Sequence, residues 1–147
     1  MLVQRSALVP YSAQSMFALV DDVATYPQFL PWCAASEVRT IEGARMEAGI
    51  TIGYRGLNQA FVTRNLREQS DQGARIEMQL VDGPFKRLEG LWQFQSLRED
   101  ASKVLLDVDF EFANKVLGAV AGPVFSQIVG SLVDAFVKRA EQVYGQQ

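Results

Sequence analysis

A chain of 147 residues, 48% hydrophobic and 21% charged, is long enough to bury one core without cross-links and has the composition of an ordinary globular domain. It has no histidine and one cysteine, which excludes His-dependent nucleophile triads, the usual zinc ligand sets and an internal disulfide. A formal charge of −3 argues against a broadly basic surface, and so against DNA as a partner.

These bounds favour a single domain over residues 1–147 and make an enzyme the lesser hypothesis. Acid–base chemistry would need a carboxylate, lysine or tyrosine with a strongly shifted pKa. No catalytic set and no metal-ligating set stands out. Cys33 reads as a small buried apolar residue. The N-terminal MLVQRSALVPYS carries Arg5 and no uninterrupted apolar stretch of leader length, so a cytoplasmic protein is expected.

In chain order, Leu2 to Val9 reads as a strand ended by Pro10. Ser12 is then a helix N-cap, followed at helical spacing by Ala13, Met16, Phe17, Val20 and Val23. TYPQFLPW, Thr25 to Trp32, carries two prolines and predicts a short helical turn or ordered loop.

The middle of the chain alternates with period two, the pattern of antiparallel strands with one dry face. Met46, Ala48, Ile50, Ile52 and Tyr54 form one such set; Ile76, Met78 and Leu80 form another. Leu88, Gly90, Trp92 and Phe94 share a face, as do Val104, Leu106, Val108, Phe110 and Phe112. Gln59 to Glu68 reads as a strand whose orientation stays open, because Phe61 and Val62 have opposite parity. Turn signals fall at Glu42-Gly43, Gly56 to Asn58, Asp71 to Gly73, Asp82-Gly83-Pro84 and Glu99 to Ser102.

Asn114 opens a long helical segment running to about Tyr144. Within it, VLGAVAGPVFSQIVGSLV (116–133) contains no charge and is long enough for a bilayer span. Its glycines, Pro123 and the polar Ser126, Gln127 and Ser131 weigh against that reading, and Pro123 is expected to break or kink the helix. A sheet with one apolar face needs a cover, and this is the only segment long enough to supply it. Phe125, Ile128, Val129, Leu132, Val133, Phe136 and Val137 make the matching stripe.

Two motifs go beyond periodicity: YPQFLPWC (Tyr26 to Cys33) and VDGPFKRLEGLWQF (Val81 to Phe94). With FEFANK (Phe110 to Lys115), in this order, the chain resembles the coenzyme Q-binding and ribosome-association-toxin family of the START-like, polyketide-cyclase-like superfamily. The resemblance implies an α+β helix-grip (Bet v 1-like) fold, in which a curved antiparallel sheet of about seven strands wraps a long C-terminal helix, with short helices after the first strand. It also implies a carrier of hydrophobic ligands. Candidate walls of a ligand cavity are then Ile52, Tyr54, Met78, Leu80, Trp92, Phe94, Phe110, Phe125, Ile128 and Leu132, with the loop carrying Phe29 and Trp32 as its mouth or as a small apolar toe that touches a membrane. Phe85 stands beside Lys86 and Arg87, a trio able to meet a lipid headgroup or RNA phosphate.

Three functions follow from the resemblance. The leading one is a non-enzymatic carrier or chaperone for a lipid quinone, ubiquinone or another isoprenoid lipid, supporting respiratory electron transport. Tyr54, Asn65 or Lys86 would serve as polar donor, and the protein would touch the inner membrane transiently. The second is a toxin-like factor that binds the large ribosomal subunit and blocks subunit joining through Arg55, Arg64, Arg67, Arg75, Lys86 and Arg87. The third is a cyclase or dehydratase, which would require Asp107 or Glu111 to turn inward against the alternation.

Overall fold

The alternating segments form a single antiparallel sheet of seven strands in a computed structural model that describes residues 1–145. The strands are β1 (Leu2–Val9), β2 (Cys33–Glu42), β3 (Arg45–Tyr54), β4 (Leu57–Ser70), β5 (Gly73–Asp82), β6 (Phe85–Arg98) and β7 (Ala101–Phe112). Their order across the sheet is β1-β7-β6-β5-β4-β3-β2. From β2 onward each strand pairs with the next across a tight turn, whereas β1 pairs with β7, Leu2 opposite Asp109 and Val9 opposite Ser102. β1 and β2 are therefore opposite edges.

The chain has to cross the sheet between those edges, and it does so as α1 (Ala13–Asp21) and a 3-10 segment, Val23–Gln28. α1 buries Ala13, Met16, Phe17 and Val20 and packs on β5, β6, β7 and the last helix, closing one end of the sheet's concave side. Ser12 caps it as read from the sequence, its side chain accepting from the Ser15 N–H.

Burial on β7 alternates as the sequence predicts: Val104, Leu106, Val108, Phe110 and Phe112 are buried, and Glu111 is exposed. Register resolves β4, whose orientation the sequence leaves open. Thr63 lies opposite Ala48 and Asn65 opposite Met46, both buried on β3. Residues opposed across a ladder share a face, so Phe61, Thr63 and Asn65 point to the concave side and Arg64 points away. Strand β2 is absent from the period-two reading because an edge strand buries little: beyond Cys33, which is buried as expected, and a half-buried Ser36, its residues are exposed. The β5–β6 turn is Gly83-Pro84. Gly83 has φ +150°, and a Cβ there would lie 2.6 Å from the Cβ of Phe61, so only glycine fits.

Helix α2 (Lys115–Tyr144) lies across the open face. Asn114 caps it, accepting from the N–H groups of Val116 and Leu117. Of the break or kink expected at Pro123, the break does not occur: the helix is continuous through it. The carbonyl that loses its donor belongs to Ala119, and both residues are on the exposed side, open to solvent that can take the place of the missing bond. Phe125, Ile128, Val129, Val133, Phe136 and Ala140 are buried, with Leu132 and Val137 half-buried. By length and composition α2 could cross a membrane, yet this apolar stripe is spent on the sheet.

Candidate functional site

Beneath α2 the sheet and helix leave a cavity of about 100 Å³. Tyr26, Trp32, Met78, Trp92, Phe125, Ile128, Leu132 and Phe136 wall it, and small residues leave the room. Gly90 on β6 is the clearest of these. A Cβ there would come within 2.4 Å of the Met78 terminal methyl, so glycine keeps that part of the wall low. Trp92 is locked by an edge-on contact with Phe136 and a stack on Phe94.

The wall carries no Asp, Glu, Lys or Arg. Its polarity comes from β4: the Thr63 hydroxyl donates to Asn65 Oδ1 at 2.9 Å, and both residues are 6% exposed. That bond fixes the amide, leaving Nδ2 as a donor. Trp32 Nε1 is the buried side-chain polar atom without a hydrogen-bond partner among the described residues. Leaving such a donor unpaired costs about 1–3 kcal/mol. The Tyr26 hydroxyl donates to the Val20 carbonyl, and burial pushes its pKa far up, so it is a neutral wall. Such a chamber suits a neutral guest with hydrogen-bond acceptors. It holds no group for acid–base work.

A second concavity, a groove of about 600 Å³, runs outside, between the Phe29–Trp32 loop, Tyr54 and the outer side of α2. The Arg139 guanidinium lies 4.9 Å from the centre of the Phe29 ring at its edge. Arg55 lies 5.0 Å from the centre of the Tyr54 ring and donates to Gln127 Oε1 at 3.0 Å.

Of the residues the sequence singles out, Trp32, Met78, Trp92, Phe125, Ile128 and Leu132 reach the cavity, and Phe29 and Tyr54 line the groove. Ile52, Phe85, Phe94 and Phe110 lie off its wall, packed into the core, and Leu80 is half-buried beside them. Phe85 and Phe110 are taken up at one end, where they pack ring to ring with Phe61, Phe112 and Phe125, whereas Phe94 is held between Trp92 and Phe17. Sequence reasoning misses Tyr26, Phe61, Thr63 and Phe136 as lining residues. Only the register of β4 identifies the first polar partner, since Thr63 carries no signal of its own.

The cations are mostly engaged. Lys86 pairs with Glu111 at 3.4 Å, and Arg87 pairs with Asp109 at 3.1 Å, a contact that holds the Asp109 carboxyl below its ordinary value. Phe85, their expected partner in a surface trio, is buried. Arg67 ties Asp21 to the Gly43 and Ala44 carbonyls, and Arg75 pairs with Glu77. Among the six candidate ribosome contacts, Arg64 makes no such bond to a described residue. Asp107 and Glu111 alternate with the buried residues of β7 and face away from the cavity.

A curved antiparallel sheet gripping one long helix, with an apolar cavity beneath that helix, defines the helix-grip class. The chain belongs to the polyketide cyclase / dehydrase and lipid transport family, whose profile matches residues 9–137. It is 48% identical over 143 residues, 97% of each chain, to ribosome association toxin RatA of Pseudomonas aeruginosa. It is 29% identical to the mitochondrial coenzyme Q-binding protein coq10 of Schizosaccharomyces pombe, over 92% of this chain and 84% of that one. Among solved structures, the Zhui aromatase/cyclase of a Streptomyces species superposes with a TM-score of 0.82 at 15% identity, covering 97% of this chain and 94% of that one. At that identity the likeness concerns the fold.

Proposed function

We propose that this chain is a ribosome association toxin, a non-enzymatic factor that binds the large ribosomal subunit and hinders subunit joining in the cytoplasm. The observation that carries this reading is the 48% identity to a relative of that name, over 97% of both chains. Sedimentation tests it. Purified protein added to bacterial ribosomal subunits is expected to deplete the joined ribosome and raise the free subunits. An unchanged gradient at saturating protein refutes the reading.

A second reading concerns the cavity and is favoured by its chemistry. We infer that it binds a neutral apolar molecule, a lipid quinone being the best fit to a chamber with donors and no charge. The 29% identity to a coenzyme Q-binding protein supports it. A typical small-molecule site spans about 300–1,000 Å³, so a chamber of about 100 Å³ takes a ring and not an isoprenoid tail. Solvent extraction of the purified protein with mass spectrometry is the test: bound quinone is expected, and a protein that carries none and takes none up overturns it. The two readings use different parts of the molecule, surface and interior, and stand or fall separately.

A further inference from the structure

We propose that the inner cavity and the outer groove are two halves of one elongated site, with Trp32 at the waist donating its indole N–H to an acceptor on a neutral ligand. The inference rests on the ligand-binding reading of the cavity and extends it to a surface outside the sheet–helix interior.

The two spaces share Trp32 and Ile128 as lining residues, so a single layer of side chains separates them. Trp32 is 7% exposed, and its Nε1 has no partner among the described residues. An indole N–H can only donate, so what it lacks is an acceptor. A cavity of about 100 Å³ is below the range of small-molecule sites, so a ligand seated in it has to extend beyond it, and the groove of about 600 Å³ is the space next to it.

The backbone under the waist is pinned. The Trp32 carbonyl accepts from the Gly53 N–H at 3.0 Å, and the Cys33 N–H donates to the Leu30 carbonyl at 3.0 Å. Opening therefore falls to side-chain rotation of Trp32 and Ile128, with the loop staying in place. The chemistry of the two halves sets the ligand's orientation. The cavity offers the Asn65 amide to an acceptor-bearing ring, and rotation of Trp32 adds its N–H, which is closed off before the side chain turns. The groove offers the Phe29 ring and the Leu30–Pro31 edge of the loop to an apolar chain, with Asp134, Lys138 and Arg139 along its α2 side. The ligand class is an alkyl-substituted neutral carbonyl ring compound.

Two probes and two variants test this by equilibrium dialysis: decylubiquinone, which has ring acceptors and a chain, and decylbenzene, which has the chain alone. Trp32→Phe keeps the aromatic plug and removes the N–H. It is expected to weaken decylubiquinone about tenfold and leave decylbenzene unchanged. Ser131→Trp, on the exposed side of α2, narrows the groove without touching the cavity and is expected to weaken both probes at least tenfold. Circular dichroism confirms folding, and the Ser131 variant keeps the joined-site claim testable should Trp32→Phe fail to fold. Decylubiquinone bound by the wild-type protein and equally well by either folded variant overturns this inference alone. Wild-type protein that binds neither probe overturns the cavity reading, and this inference with it.

Discussion

Asp21 shows how one residue records the competition between burial and pairing. Its carboxylate meets Arg67 at 3.0 Å, with both side chains largely shielded from solvent. Burial still raises its pKa above the usual aspartate value, and Arg67 offsets this only in part. The folded state thus holds this proton more tightly than the unfolded chain. Its contribution to stability must fall as pH rises from the ordinary aspartate value to the raised one. Asp21→Asn should remove that decline; urea unfolding of both proteins between about pH 3 and pH 6 would reveal it, and an unaltered slope would assign it elsewhere. Asp109 works in the opposite direction, since Arg87 lowers its pKa and its contribution is lost as pH falls. Gly90 is the residue on which the cavity depends most directly. Gly90→Ala has to displace the Met78 methyl, so it should lower stability by about 1 kcal/mol and reduce quinone uptake, read from the urea midpoint and from dialysis.

At the scale of the element, α2 combines a strong start with weak positions inside. Asn114 satisfies two of the first helical N–H groups, and Asn114→Ala should cost about 1 kcal/mol. Gly122 sits within the helix with nothing beyond its chain neighbours and its own helical backbone within 4 Å of where its Cβ would be, so Gly122→Ala should stabilise by roughly 0.5–1 kcal/mol. Gly130 should gain less from the same change, because its Cβ would meet the Arg5 guanidinium at 3.0 Å. Denaturant midpoints for the three variants test this order of signs; a destabilising Gly122→Ala would mean that the helix needs to bend there. Pro123 is tolerated for the related reason that the backbone group it leaves unpaired faces water.

For the molecule as a whole, the grip of sheet on helix is one cooperative structure, since the pairing of the edge strand β1 with β7 ties the start of the chain to the strand preceding α2. Both tryptophans, Trp32 and Trp92, line the cavity beneath α2 and report on its seating. Unfolding followed by tryptophan fluorescence should therefore coincide with unfolding followed by far-ultraviolet circular dichroism. A fluorescence transition at lower denaturant would show the helix leaving the sheet first, a route by which a guest bulkier than the cavity could be admitted.

Much of this architecture is written in local pattern. Alternation along β3, β5, β6 and β7 and the stripe on α2 set which faces are dry, because a strand or helix exposes its periodicity residue by residue. The absence of histidine and the scarcity of cysteine excluded whole classes of chemistry before any fold was known. What only the tertiary structure decided is which dry residues enclose space and which fill it. Phe94 and Phe110 have the same pattern as Trp92, yet only Trp92 meets the cavity: Phe110 is taken up by the aromatic cluster at one end, Phe94 is covered by Trp92 and Phe17, and Gly90 leaves room beside Trp92. The facing of Thr63 and Asn65, the neutralisation of Lys86 and Arg87, and the unpaired indole of Trp32 depend likewise on partners distant in sequence, and no local signal carries them.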